Sequence, residues 1–428
     1  MANNAGEGAW HAPAFAVGYA IKLGVAREQP AHLSVSVFRM PPTYSHRRLL
    51  TSAGWITNDY ANLLSFETWL VRVIDTDQKL AELLPCLGGT GWIALDTEAD
   101  SLYSYPEKLC LLQLSVAGRD ALVDPLANVQ LEPLLEVLQP REIILHGCDY
   151  DLRLLWRAYR FVPAQVFDTM LAARYLGLSR YGLNDLAEEF LGIKLEKGPQ
   201  KANWARRPLT DRMRDYALND TRHLKALSDL LKEQLAAKGR LQWHADACTQ
   251  LVQTCCRTKP ADNHDAWRIK GSEKLSKGAL GVLRELWYWR DYEAVQANKP
   301  PFFILSHELL VFLSEKATEG DVEPWLPKYL TPRRRAGLLE VVEQALTRPH
   351  PERVKHPRSS GRRMTHAEHR EYEKLRLRRD ACAVDLGLEA SFIASRTTLL
   401  LLAQDWEEHQ SRLLPWQREL LQPGLKPA

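Results

Sequence analysis

No window of this 428-residue chain approaches 18 uncharged apolar residues in succession, so a membrane-spanning helix is not expected. The apolar stretch from Ala12 to Ala26 is interrupted by Lys22 and has no basic segment before it, which argues against a secretory signal. Cysteine is sparse. Seven are scattered along the chain, an odd number with no Cys-x-x-Cys pair, so neither a disulfide framework nor a thiolate zinc site is indicated. A reducing cytoplasm is the expected compartment. Net charge is lacking too, at +3, and by itself it names no partner.

What is present reads as ordinary globular protein, 45% hydrophobic and 25% charged. The length calls for two or three domains rather than one core. Charge is uneven along the chain. Between Arg333 and Asp380 there are 14 Lys/Arg against 7 Asp/Glu, which leaves the rest of the chain slightly acidic. Such a segment can be a footprint for phosphates or a solvated linker. Residues 1–70 are expected to be a loose extension, with Met40 the expected true start because nothing before it reads as a domain.

The most informative stretch is Gly91-Trp92-Ile93-Ala94-Leu95-Asp96-Thr97-Glu98. An apolar run with strand propensity ends in two carboxylates one residue apart. Alternation along a strand puts Asp96 and Glu98 on one face. Burying two like charges is costly unless a cation lies between them, and oxygen-only ligands suit a hard ion such as Mg2+ or Mn2+. The alternative is a strand leaving the core into a wet turn.

Just before this stretch, Asp77 to Leu84 reads as a short helix closed by Pro85 and the Gly88-Gly89 turn. Strands follow at 109–115, 121–124 and 143–146, the last nearly all apolar, as a buried central strand should be. The last runs through Gly147-Cys148-Asp149-Tyr150-Asp151 into a helix. Asp149 can cap that helix, whereas Asp151 lies further in and is the better ligand candidate. If this strand neighbours the Asp96 strand, its junction carboxylates lie near Asp96. Val166-Phe167-Asp168-Thr169 reads as strand into helix with Asp168 as N-cap, and Gly182 to Leu191 as another helix. Lys197, Trp204 and Arg207 lie in a polar loop where cations and an aromatic can hold a nucleic-acid strand. A plain surface loop would look similar. A single helix is expected from about Asp211 to Lys238, with Tyr216 and Asp220 four apart on one face.

Leu-Asp-Thr-Glu at 95–98, His-Gly-Cys-Asp-Tyr-Asp-Leu at 146–152 and Tyr-Ala-Leu-Asn-Asp at 216–220, in that order within one domain-sized span, resemble the DEDD superfamily of 3′–5′ exonucleases. Within it they resemble the ribonuclease D family, tyrosine subtype, over roughly residues 72–236. The resemblance implies a ribonuclease-H-like α/β fold with a mixed sheet. It further implies a catalytic set of Asp96, Glu98, Asp151, Asp220 and Tyr216. In that set Asp96 bridges two divalent cations, Glu98 and Asp220 serve the ion holding the attacking water, Asp151 secures the second ion, and Tyr216 orients the water. Lys197, Trp204, Arg207 and Gln113 are the implied substrate-binding residues. One departure is Ala99, where the family often has an aromatic. His146, at a strand end, reads as a packed structural residue.

Helix–break–helix patterns after Leu280 and after Glu373 resemble HRDC domains, small helical modules, giving units at 266–350 and 366–425 behind an exonuclease domain at 71–240. Pro349 to Arg363 reads as a flexible linker. The implied activity is stepwise release of nucleoside 5′-monophosphates from a single-stranded RNA 3′ end, such as a tRNA precursor, by a cytoplasmic monomer. A DNA exonuclease and a catalytically silent nucleic-acid-binding module remain open alternatives.

Overall fold

The computed structural model describes residues 72–117, 119–257, 265–347 and 364–422, plus the backbone of a two-residue strand pair at Tyr19–Ala20 and Phe38–Arg39. The N-terminal extension, Met40 and the 349–363 linker otherwise lie outside the described residues.

Six strands form one mixed sheet: β1 Arg72–Ile74, β2 Trp92–Ala99, β3 Leu109–Val116, β4 Arg119–Val123, β5 Glu142–Leu145 and β6 Gln165–Asp168. Their spatial order is β1-β4-β3-β2-β5-β6. β3 pairs antiparallel with β2 and β4, while β5 runs parallel to both β2 and β6. All eight residues of β3 are buried, as expected of a strand covered on both faces. Ala94 lies opposite Ile144, so the ends of β2 and β5 come out side by side. That places Asp96 and Glu98 beside the turn that follows β5, where carboxylates from two chain segments can meet.

α1 (Asp149–Tyr159) starts at that turn and packs Leu152, Leu154 and Leu155 on the sheet face built from Ile93, Leu95, Leu112 and Leu114. α2 (Asp211–Arg222) lies on the opposite face, where Met213, Ala217 and Leu218 pack with Leu111 and Leu122. The expected helix over 211–238 is two helices, broken at His223. The break follows a change of burial partner. α2 is fixed by Thr221 to Ser115 (2.8 Å) and Arg222 to Asp120 (2.7 Å), whereas α3 (Leu224–Ala237) turns Leu224, Leu227, Leu231 and Leu235 into another cluster. The helix expected over Asp77 to Leu84 carries Pro85 inside its last turn and runs on to the Gly88-Gly89 turn, spanning Asp77–Gly88 with Gly89 as its cap.

The C-terminal half is helical and repeats itself. A 21-residue helix, α4 (Lys277–Ala297), is followed by a four-residue helix (Pro301–Ile304) and a helix capped by Ser306. A second 21-residue helix, α5 (His366–Leu386), is followed by Ala390–Ile393 and a helix capped by Ser395. A constant shift of 89 positions carries Arg290, which donates to Leu305 O at 3.2 Å, onto Arg379, which donates to Ala394 O at 3.1 Å. The same shift carries the left-handed cap Asn298 onto Gly387. The two copies pack differently. The first has its own core, from Trp267 to Val342, while the second shares one core with nuclease-side residues including Tyr175 and Leu231.

That shared packing has specific fasteners. Arg240 is buried and donates to Tyr175 O (2.8 Å) and Leu386 O (2.6 Å), joining the carbonyl ends of two helices. Gly177, in the left-handed region at φ 84°, approaches the Gly387 carbonyl so closely that a Cβ would sit 2.2 Å from its oxygen.

Candidate active site

At the outer ends of β2 and β5 a cavity of about 850 Å³ opens, lined by Asp96, Glu98, Asp151, Tyr216 and Asp220 together with His146, Tyr150, Asn184, Lys197, Gly198 and Asn219. Asp96, Glu98 and Asp220 each offer a carboxylate oxygen, and these oxygens lie within 4.8 Å of one another. Strand alternation supplies the first two, and α2 lowers Asp220 onto them. Asp151 enters from the other face of the sheet. It is buried and stands apart from that triad, its carboxylate taking a hydrogen bond from the Thr97 hydroxyl.

Electrostatically the group is unstable as built. Burial first, then the charges of Asp151, Asp220 and Glu98, hold the Asp96 carboxyl well above its usual range. Burial, then the charges of Asp220 and Asp151, push Glu98 up to about 9. Burial likewise raises Asp220 to about 7 and Asp151 to about 6, each offset in part by a hydroxyl donor, Tyr216 and Thr97 respectively. Among the described residues no basic side chain forms an ion pair with any of the four. Four crowded carboxyls with only oxygen donors are the donor set of a hard divalent cation, so the residues present fit such an ion.

The Tyr216 hydroxyl stands near the Asp220 carboxylate and holds its pKa lower than burial alone would, the i,i+4 spacing putting both on one helix face. The Tyr216 ring packs against Trp204 (centroids 6.1 Å apart) and lies close against Gly198, where any side chain would overlap it. Asp168 does more than cap its own helix. It accepts from Met170 N and Leu171 N, and also from Gly147 N and Cys148 N at 3.0 Å, holding the turn that delivers Asp151. His146 meets Thr169 Oγ1 at 2.9 Å and also lines the cavity.

The loop after β2 ties the site to its surroundings. Asp100 accepts from Lys108 N (2.7 Å), Tyr103 donates to Lys201 O (2.6 Å), and Tyr150 donates to Glu107 (2.8 Å). Tyr105 reaches α4, its hydroxyl donating to Asp291 and its N–H to Asn298 Oδ1. Tyr103, Tyr105 and Tyr150 carry no local sequence signal, because their partners lie on distant segments.

Three of the expected substrate contacts are misplaced. Trp204 is 1% exposed, inside a cluster with Cys110, Leu111 and Leu122, so it cannot stack on a nucleic-acid base. The Arg207 guanidinium is committed to Asp124 and to the carbonyls of Cys110 and Trp204, at 2.7 Å each. A nearby carboxylate claims it before any phosphate can. Gln113 is fully buried and does not line the cavity. Of the four, Lys197 alone lines the cavity, and it is exposed there. The basic excess after Arg333 is likewise partly consumed. Arg333 and Arg334 both pair with Glu293, and Arg376 pairs with Glu373 and Asp380. His146, Tyr150, Asn184 and Asn219 line the cavity without having been expected as contacts; Asn219, directly before Asp220, is the one that position in the motif could have suggested.

The 3′–5′ exonuclease family model matches residues 71–236, and the HRDC domain model matches residues 279–322. The chain is 32% identical to the ribonuclease D of Pseudomonas paraeruginosa over 290 residues, 66% of this chain and 76% of that one. It is 30% identical to the ribonuclease D of Desulfotalea psychrophila over 244 residues, 56% of this chain and 65% of that one, so it spans just under two thirds of that relative. The crystal structure of Escherichia coli RNase D superposes with a TM-score of 0.64 at 24% identity, covering 83% of this chain and all of that one, a likeness of fold. Fold and site together define a 3′–5′ exonuclease domain with a mixed sheet, followed by a helical HRDC domain. The chain belongs to the ribonuclease D family. No helix among the described residues is long and apolar enough to cross a membrane.

Proposed function

We propose that the chain is a metal-dependent 3′–5′ exoribonuclease acting on RNA with a free single-stranded 3′ end, with a tRNA precursor as its physiological substrate. The observation that carries this reading is the convergence of Asp96, Glu98 and Asp220 within 4.8 Å at the floor of a cavity large enough for a terminal nucleotide. Asp96, Glu98, Asp151 and Asp220 hold two divalent cations in this reading. Bound there, the ions would clamp the scissile phosphate and lower the pKa of an attacking water. The Tyr216 hydroxyl, near Asp220 at the cavity, is placed to hydrogen-bond and orient that water. Lys197 at the cavity wall supplies positive charge toward the phosphate backbone.

The helical units following the nuclease are both HRDC-like in this reading, the second supported by the 89-residue repeat. One chain supplies all five site residues, so a monomer suffices. Scattered free cysteines suit a cytoplasmic setting.

The test uses a 5′-labelled RNA with a single-stranded 3′ tail, and the matching DNA, with Mg2+, Mn2+ or chelator, for wild type and Asp96→Ala. Stepwise shortening of RNA that needs both metal and Asp96 is expected. Preferred shortening of DNA would overturn the RNA assignment, and binding without shortening under every metal condition would overturn the enzyme.

A further inference from the structure

Gln113 sits where an amide has no business being unless something meets it. It lies on β3, directly opposite Asp96 of β2 on one side and Leu122 of β4 on the other. Cross-strand partners in an antiparallel pair share a face, so the Gln113 side chain leaves the sheet on the same side as Asp96. Ser115, two residues on and therefore on that face as well, reaches Thr221 of α2 at 2.8 Å. Gln113 thus stands between the strand that carries Asp96 and the helix that carries Asp220.

Ser115 shows how a polar group is normally accommodated there: it also donates to Asp120 at 2.6 Å, and Asp120 in turn pairs with Arg222. Gln113 has nothing comparable. Its side chain is fully buried, and neither its amide oxygen nor its amide nitrogen has a hydrogen-bond partner. A buried amide with both ends unmet is destabilising, and an apolar side chain of the same length would be the better choice for stability alone. Gln113 does not reach the cavity, so substrate cannot be what satisfies it.

We propose that Gln113 is a positioning residue for the metal site: its amide N–H donates to the Asp96 carboxylate when that carboxylate holds a divalent cation, fixing the ligand's orientation. Groups behind a metal's ligands commonly play this part, and losing one weakens metal binding by about 10–100-fold. The inference rests on the reading of Asp96 as a metal ligand, and it adds a residue that works through Asp96 without touching substrate.

The experiment compares wild type with Gln113→Met in the full-length protein, without RNA. Mg2+ and Mn2+ binding are measured by calorimetry, and thermal unfolding is followed in chelator and in excess metal. Opposite signs are expected. The variant unfolds at a higher temperature than wild type in chelator, because an orphaned amide is gone, yet binds metal about 10–100-fold more weakly. A lower unfolding temperature in chelator with unchanged metal affinity would make Gln113 a packing residue and overturn the proposal. Failure of Gln113→Met and of Gln113→Leu to fold would do the same, since removing an unmet amide should not unfold the protein. If wild type itself binds neither ion, the metal reading falls first and takes this proposal with it. If wild type binds and the variant binds equally, the proposal alone falls.

Discussion

Gly198→Ala is the smallest change that should disable the site without touching a ligand. Gly198 lies against the Tyr216 ring, and a Cβ there would stand 1.6 Å from Cδ2, 2.2 Å from Cγ and 2.5 Å from Cε2. Ordinary contact begins near 3.4 Å, so the ring or the loop must move by ~1.8 Å. The ring is also packed against Trp204 and its cluster, so displacing it disturbs that contact as well. A misplacement of about 1 Å in a positioning group can cost about 100-fold in rate. We therefore expect single-turnover trimming of a 5′-labelled RNA to slow by about 100-fold or more in Gly198→Ala. Overpacking should reduce stability by only about 1–3 kcal/mol, leaving the protein folded. Tyr216→Phe, which removes the hydroxyl but keeps the ring, should slow trimming comparably. Combining the two should add little, because both remove the same function. A folded Gly198→Ala protein that trims at the wild-type rate would refute the placement of Tyr216 as a working part of the site. A double variant showing the full product of the two losses would refute the claim that Gly198 acts through it.

Metal-free protein should lose stability as pH rises. Glu98, Asp220 and Asp151 have folded-state pKa values near 9, 7 and 6, above their unfolded values, so the folded state holds protons that the unfolded state has released. Their contribution is full below about pH 4 and is lost as pH climbs through 6 to 9. Saturating Mg2+ should restore it, so the metal-induced rise in unfolding temperature should grow from pH 5 to pH 9; a rise independent of pH would contradict the carboxylate assignment. Trp204→Ala should destabilise by about 3–5 kcal/mol in denaturant unfolding, as a core deletion does. Unchanged stability with weakened RNA binding would instead restore Trp204 as a surface stacking platform. Gly177→Ala should cost about 1–2 kcal/mol from its left-handed backbone alone. It should also loosen the C-terminal helices, read as loss of the near-ultraviolet dichroism of the stacked Trp243–Trp416 pair, whose centroids lie 4.5 Å apart. A wild-type spectrum and midpoint would show that the Gly177–Gly387 contact is not needed for docking.

Most of what positions the site was readable locally. β2, β3 and β5 announce themselves as apolar runs between turns, and the carboxylates of Asp96, Glu98 and Asp220 fall where period-2 and period-3.6 geometry put them. Whether β2 and β5 are neighbours was left open by the sequence; their parallel pairing, with Ala94 opposite Ile144, delivers Asp151 to the right end. The break at His223 was invisible because neither proline nor glycine marks it; only the switch of Leu224, Leu227 and Leu231 into another cluster does. The loop from Asp100 to Lys108 was equally silent, since Tyr105 has its partners 186 and 193 positions away.

The misreading of Trp204 and Arg207 is of a different kind. Their residue types were right for nucleic acid, and so was the loop. What separates a phosphate-gripping arginine from a structural one is whether a carboxylate has claimed it, and Asp124 lies 83 positions upstream in sequence. Asp124 is itself buried and also caps a short helical turn through Leu126 N. Once it is buried it needs a cation, Arg207 is the one that arrives, and the carbonyls of Trp204 and Cys110 complete the guanidinium's shell. Trp204 is then drawn inward beside its own loop's anchor, under Tyr216. Trp204 and Arg207 therefore act on the active site through the packing of Trp204 on Tyr216, while in the same loop Gly198 fits closely against that ring and Lys197 lines the cavity. Substitutions at Trp204 or Arg207 should on this account lower trimming on every RNA alike, including one too short to extend past the cavity, because what they disturb is the seating of Tyr216. A loss confined to long substrates would mean that Trp204 and Arg207 grip RNA after all.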